Sequence, residues 1–365
     1  MNIKEIVKCL ENVAPLSLQE AYDNAGLILG RKDENIPSVL VCIDICFSVV
    51  EEAIRRGIPM IISHHPLIFQ GLKKISGKNE VEKCVIEAIK HDIAIYSIHT
   101  NLDNVIHGVN AKIAKKIGLQ NIEILAKQKS GLKKLVCFVP SSHADLVRNA
   151  IFSAGAGKIG QYDQCSFNIG GLGTFRGSEN SNPFAGQKGE IHFEDEIRIE
   201  TIFPSYLQNT VVSAMIKAHP YEEVAYDIYS LDNSNPCIGA GIVGNLPNAM
   251  NEQEFIKHIQ SLFHVSVIRH TKLLDQAVRR VALCGGSGSF LLENAKNSGA
   301  QFFISADFKY HQFFDAENRI VIADIGHYES EQFTTELIAE ILRKDFPTLQ
   351  IHITEFDTNP ILYFK

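Results

Sequence analysis

The chain has no Cys-x-x-Cys pair, no uninterrupted apolar stretch of membrane-spanning length and no surplus of basic residues. Its eight cysteines are scattered over 365 residues. Cys42, Cys137 and Cys284 lie inside apolar, strand-like runs, where thiols pack as small hydrophobes. A reduced cytosolic protein with buried thiols is therefore expected, rather than a disulfide scaffold or a zinc knuckle. The missing apolar stretch argues against a membrane span. The opening MNIKEIVKCLENVAP has charged residues among apolar ones at helical intervals and lacks the apolar core of a secretory signal, so the expected address is the cytoplasm. With 35 basic against 42 acidic residues the net charge is −7, which argues against general nucleic-acid binding. A small anion held by a few local groups is still allowed. A length of 365 residues, 45% of them hydrophobic, suits more than one domain and a full core without staples.

The outer thirds, 1–127 and 239–365, alternate strand and helix signals. In the first, VLVCID (39–44), PMIIS (59–63) and IAIYSI (93–98) are apolar strands. Helical spacing spans Phe47–Arg56, Val81–Lys90 and Val109–Ile117, with Gly57 and Gly118 as stops. In the last, RRVALC (279–284), FFIS (302–305), IVIADI (320–325) and LQIHIT (349–354) are strands, interleaved with helices at Phe290–Asn297, Phe308–Phe314 and Ser330–Arg343. This rhythm predicts βαβ units: a three-layer α/β core with a mostly parallel sheet built from both ends of the chain. Residues 128–238 are strand-rich, with two helices, Ala144–Ser153 and Leu207–Ala218. They predict an inserted α+β domain, with a split βαβ arrangement as one fold open to it.

In open parallel sheets, ligand sites form beyond the carboxyl ends of strands. After PMIIS stand His64 and His65. After IAIYSI come His99 and, four residues on, Asp103. After IVIADI comes Gly326-His327, with Glu331 one helical turn further. Imidazole and carboxylate donors without cysteine suit zinc, manganese or ferrous iron with open coordination positions. His327 and Glu331 fall on one face if a helix begins at His327. A lone His-His pair or His-x-x-x-Glu is more often a surface feature; donors at three strand ends together point to metal. Five or six donors suit two metals better than one. His99 has three readings: a further ligand, a group orienting Asp103, or the nearest proton-transfer (catalytic) residue. His311, with Asp307, is a further candidate for the same cleft.

Other motifs carry less. Gly239-Ala-Gly241-Ile-Val-Gly244 fits G-x-G-x-x-G, but Asn-Leu-Pro-Asn cannot open the helix that a dinucleotide fingerprint requires. Gly285–Gly288 follows a strand and could seat an anion or simply form a tight turn. Ser289 in place of a final glycine spoils G-x-S-x-G. His219-Pro220-Tyr221-Glu222-Glu223 is expected to be a polar loop rather than a site.

SHHPLIF (63–69), HTNLDNV (99–105), SADFKYH (305–311), DIGHYESE (324–331) and YDNAGLILG (22–30) together resemble the GTP cyclohydrolase I type 2 homologues, the NGG-interacting-factor-three-like family. GAGKIGQYDQCSF (155–167), the glycine-rich 171–175 and HPYEE (219–223) resemble the PII/CutA-like, ferredoxin-like insert of its longer bacterial members. The resemblance implies a dinuclear centre ligated by His64, His65, Asp103, His327 and Glu331, and a ring-shaped homohexamer capped by the inserts. The leading expectation is a metal-dependent hydrolase holding two divalent ions, zinc first, with manganese or iron as alternatives. A metal-activated water would attack a small-molecule substrate, a nucleotide being one candidate. The alternative is a non-enzymatic metal-binding scaffold or regulator acting through the insert.

Overall fold

The computed structural model describes residues 1–129 and 131–364. The chain divides into two compact units: Met1–Lys127 with Pro236–Lys365, and Gln128–Asn235. The first opens on the helix Ile3–Val13. The Asn2 side chain accepts from the Lys4 N–H, and Glu5 reaches back to the Asn2 N–H. These bonds satisfy donors that a helix start leaves free.

Two sheets carry this unit. The first runs Gly26–Leu29, Ala94–Ser97, Met60–Ser63, Ser38–Cys42, Gln350–Ile353. All neighbours are parallel except Gly26–Leu29, which pairs antiparallel at the edge. Ile351 lies opposite Val39, so both ends of the chain share this sheet. Its three central strands are buried at every position, as unbroken apolar runs require when both faces are covered. Val49, Val50 and Ala53 of the helix Phe47–Arg56 pack with Cys84, Val85 and Ala88 of the helix Glu80–Lys90 against Leu40, Ile61 and Ile95.

The second sheet runs Arg269–His270, Val321–Asp324, Phe302–Ala306, Ala277–Ser287, Gly239–Asn251, Gln120–Lys127. Its centre, from Val321–Asp324 to Ala277–Ser287, is parallel and the flanks are antiparallel. The α/β core thus has two sheets with parallel centres, where the strand–helix rhythm alone suggests one. The flank has a topological cause. Gln120–Lys127 leads into the inserted residues and Gly239–Asn251 leaves them, so the two pair like hairpin arms, Gly239 opposite Lys127. A Cβ at Gly239 would stand 2.1 Å from the Ala126 carbonyl oxygen, so this pairing needs glycine. The Gly239–Gly244 motif therefore opens a strand, with no dinucleotide turn.

Three expected helices differ. Phe308–Phe314 is instead a 3-10 helix over Tyr310–Ala316. Ser330–Arg343 is broken into His327–Glu331 and Thr334–Asp345. At the break, the Gln332 amide donates to the Phe263 carbonyl, and the Phe333 ring packs between Phe263 and the Lys116 ammonium. These tertiary contacts override the helical spacing. Phe290–Asn297 becomes a 3-10 turn, Ser289–Leu291, followed by the short helix Leu292–Asn297.

The second unit has the order strand Leu132–Pro140, helix Ala144–Ser153, strands Phe167–Arg176 and Ile191–Pro204, helix Gln208–Ala218, strand Tyr226–Leu231. The sheet order, Phe167–Arg176, Ile191–Pro204, Leu132–Pro140, Tyr226–Leu231, is wholly antiparallel. This is the ferredoxin-like split βαβ fold. Val147 and Ile151 of one helix and Val211 and Met215 of the other pack with Leu135, Cys137, Ile199 and Phe203. Among the described residues, no helix is long and apolar enough to cross a membrane.

Candidate metal centre

Each candidate donor stands where a strand of the first unit ends. His64 and His65 follow Met60–Ser63 and stay in register, their N–H groups donating to the carbonyls of Cys42 and Ile43. Asp103 closes the short helix Thr100–Asp103 after Ala94–Ser97. His327 and Glu331 are the first and last residues of one short helix, one turn apart, entered through Gly326 at φ 95°. A Cβ at Gly326 would stand 2.2 Å from a carboxylate oxygen of Glu329, which fills that space.

The other four side chains gather around Glu331. Its Oε1 lies 3.7 Å from His64 Nε2, and its Oε2 lies 3.1 Å from His65 Nε2 and 3.2 Å from His327 Nε2. Asp103 Oδ1 is 3.8 Å from His64 Nε2. Three donor groups result, His64–Asp103–Glu331, His65–His327–Glu331 and His64–His65–His99, with donor atoms of each within 4.8 Å of one another. Glu331 belongs to the first two, and His99 only to the third. Donors about 2.0–2.2 Å from one ion are themselves roughly 3–3.6 Å apart, close to these spacings.

The outer nitrogens are all committed. His64 Nδ1 donates to the Ile98 carbonyl at 2.8 Å, His65 Nδ1 to Asp44 at 2.7 Å and His327 Nδ1 to Asp307 at 2.6 Å. Such bonds fix which nitrogen faces inward, as at metal-bound imidazoles. By contrast, the buried His64 Nε2, Asp103 Oδ1 and Glu331 Oε2 have no hydrogen-bond partner. Buried polar atoms are seldom left so. Orphaned N and O atoms converging on shared points are what bound metal would satisfy, and the residues fit that group.

The electrostatics agree. Burial opposes the charge on Glu331, yet the surrounding His327 and His64 hold it well below the usual carboxylate range. Burial raises Asp103 to about 7 despite the nearby His64. Burial also disfavours protonated His65 and His327, but Asp44 with Glu331 lifts the former to about 9, and Asp307 with Glu331 lifts the latter to about 11.

His99 sits beside the cluster, its ring centroid 5.3 Å from His64 and 5.1 Å from His65. It does not orient Asp103: its Nδ1 bonds Asp23 at 2.7 Å. Burial lowers the His99 pKa. Asp23, bonded by His99 and by the Thr100 hydroxyl and N–H, falls to about 2 although burial opposes its ionisation. His311 is absent from the cleft lining and packs against Tyr310 and Phe314 instead. The Gly285–Gly288 loop is not an anion seat. The Gly285 N–H donates to Asn110 Oδ1, the Gly286 N–H donates to Ser330 Oγ, and the strand runs on to Ser287. In the insert, both His219 nitrogens serve local bonds, to the Phe138 carbonyl and from the Tyr221 N–H.

A cleft of about 470 Å³ opens onto the cluster. Tyr22, Phe69, Phe290 and Tyr328 supply aromatic walls, and none of the described lining residues is lysine or arginine. Asp23, Asp44 and Asp307 were not assigned these roles by sequence reasoning. The signal was present for Asp44, which ends the apolar run 39–44, and for Asp307, which directly follows Phe302–Ala306 and was already a candidate for the cleft.

Fold and site together define an α/β protein in which separated parts of the chain bring histidine and carboxylate donors to one cleft, able to hold metal. The chain belongs to the Duf34/NIF3 (NGG1p interacting factor 3) family, whose model matches residues 1–360. It is 38% identical over 367 residues to a protein of Halalkalibacterium halodurans named GTP cyclohydrolase 1 type 2 homolog, covering 99% of both chains. A Bacillus subtilis protein of the same name is 37% identical over 369 residues, covering 100% of this chain and 99% of its own. Among solved structures, a Bacillus cereus protein related to NIF3 superposes with a TM-score of 0.86 at 38% identity, covering 100% of this chain and 99% of that one.

Proposed function

We propose that the chain binds two divalent cations through His64, His65, Asp103, His327 and Glu331, and acts as a metal-dependent hydrolase. The observation that carries this is Glu331, whose two carboxylate oxygens face different histidines. His64, Asp103 and Glu331 Oε1 would hold one ion; His65, His327 and Glu331 Oε2 the other. The nitrogen and oxygen donor set favours zinc, with manganese or iron as alternatives. Such ions polarise a carbonyl or phosphoryl oxygen and bring the pKa of water towards neutrality.

The chain's own groups have separable tasks. Ile98, Asp44 and Asp307 aim the imidazoles. Asp23 holds His99 through Nδ1, so Nε2 is the ring atom placed to move a proton, and burial favours the neutral ring. The aromatic walls suit a ring-bearing substrate. The relatives' name raises GTP as one candidate, but with no lysine or arginine in the described lining, the metals would have to meet a triphosphate's charge. A small ring compound carrying less charge fits better.

The homohexamer implied by the family and the cytoplasmic address expected from the sequence belong to the same proposal. Self-association is supported by the insert, whose strands expose Phe167, Ile169, Leu172, Ile191 and Phe193. The test is turnover by the metal-loaded protein across nucleotides, cyclic amides and phosphoesters. Hydrolysis of one class, abolished by chelation, supports the reading. Two bound metals with no turnover of any class would leave a metal-binding scaffold.

A further inference from the structure

The segment after the last strand runs along one side of the cleft. Beyond Gln350–Ile353, Thr354 still donates its N–H to the Val41 carbonyl, and its hydroxyl bonds the buried Glu52 carboxylate. From Asp357 to Ile361 the chain is held differently, by side chains. The Thr358 hydroxyl donates to Asp44 Oδ2 at 3.2 Å, and the Asn359 amide donates to Glu329 Oε1 at 3.1 Å. Asn359 Oδ1 also accepts the Ile361 N–H, and Asp357 accepts the Asn359 N–H, which stiffens the turn. Asn359, Pro360 and Ile361 form one wall of the cleft.

Both anchors lead to the cluster. Asp44 uses its other oxygen, Oδ1, to hold His65 Nδ1. Glu329 lies on the His327 helix, with its carboxylate packed over Gly326 at the entry to His327. One short stretch thus braces His65 on its Nδ1 side through Asp44, and the turn that carries His327 through Glu329. Resting on the metal reading above, we propose that Thr358 and Asn359 are positioning residues for the His65–His327–Glu331 triad, and that the 357–361 strap bounds the substrate cleft. Thr358 fixes the Asp44 carboxylate, which fixes the direction of His65 Nε2. Asn359 fixes Glu329 and with it the turn from which His327 projects.

The experiment is zinc binding to the full chain, followed by calorimetry and elemental analysis, for the wild type and for Thr358→Val, Thr358→Ser and Asn359→Ala. Loss of an outer partner of a ligating group weakens affinity by about 10–100-fold. Thr358→Val should weaken one of the two zinc sites by about tenfold, the low end of that range, and leave the other unchanged. Thr358→Ser keeps the hydroxyl and should behave as wild type. Asn359→Ala should weaken the same site, providing a second reading should Thr358→Val fold poorly. Two sites of unchanged affinity in all three variants would overturn the strap proposal while leaving the metal reading intact. A wild-type chain that binds no zinc, manganese or iron would overturn both.

Discussion

Glu331 Oε2 lies 3.1 Å from His65 Nε2, a contact between residues near opposite ends of the sequence. Space for that carboxylate comes from Gly286. A Cβ there would stand 2.2 Å from Glu331 Oε1, and the backbone is left-handed at φ 61°. Gly286→Ala should therefore cost about 1–3 kcal/mol of stability from backbone strain and displace Glu331. Thermal unfolding and metal content, measured on one preparation, would check both effects. Full metal content in that variant would show that Glu331 does not need its present position.

Asp307 bonds His327 Nδ1 at 2.6 Å. Asp307→Ala should leave the fold intact and weaken one of two metal sites by about 10–100-fold. A competition titration against a chelator of known affinity reads this directly. Equal weakening of both sites would be inconsistent with two separate triads.

Protons and metal compete for the same nitrogens. With His65 at about 9 and His327 at about 11, both rings are protonated at neutral pH without metal. Imidazole must be neutral to coordinate, so metal uptake near pH 7 should release protons, and affinity should fall as pH falls. Calorimetry in two buffers of different ionisation enthalpy measures that release. The linked stability of the metal-free protein has the opposite dependence. Both folded values are raised above the unfolded value of about 6.5, so the contribution is complete below that pH and is lost as pH rises through about 9 and then about 11. Metal-free melts at pH 6 and pH 10 should differ in that direction.

A second pH effect lies away from the cleft. Glu82 accepts the N–H groups of Ser76 and Lys78 and the Ser76 hydroxyl, which hold its carboxyl below the usual range. A depressed folded value stabilises above the unfolded pKa, and that stabilisation is lost as pH falls through the folded one. The protection of the Ser76 and Lys78 amides, relative to intrinsic exchange at the same pH, should therefore fall at acid pH, and Glu82→Gln should reproduce this at pH 7. Unchanged protection in the variant would mean that the loop is held by other contacts.

Much of the architecture was legible because parallel strands buried on both faces announce themselves. Ser38–Cys42, Met60–Ser63 and Ala94–Ser97 are continuous apolar runs, and Gly57 and Gly118 close their helices as the sequence suggests. Strand ends pointed to His64, His65, Asp103, His327 and Glu331, and the structure brings all five together. Less legible were features set by distant neighbours. The break at Gln332–Phe333 depends on Phe263 and Lys116, and the antiparallel pairing of Gly239 with Lys127 depends on the hairpin-like return around the insert. Asp23 bonds a ring 76 positions away in sequence, and Thr358 reaches Asp44 across 314. No local pattern encodes such pairs.

The most direct measurement is the metal-to-chain ratio of the purified full chain and of Glu331→Gln, obtained by elemental analysis with circular dichroism as the check on folding. A carboxylate shared by two triads predicts two divalent ions per wild-type chain and a folded variant that retains neither. A folded wild-type chain with no ion after loading, or a variant that still holds two, would contradict it.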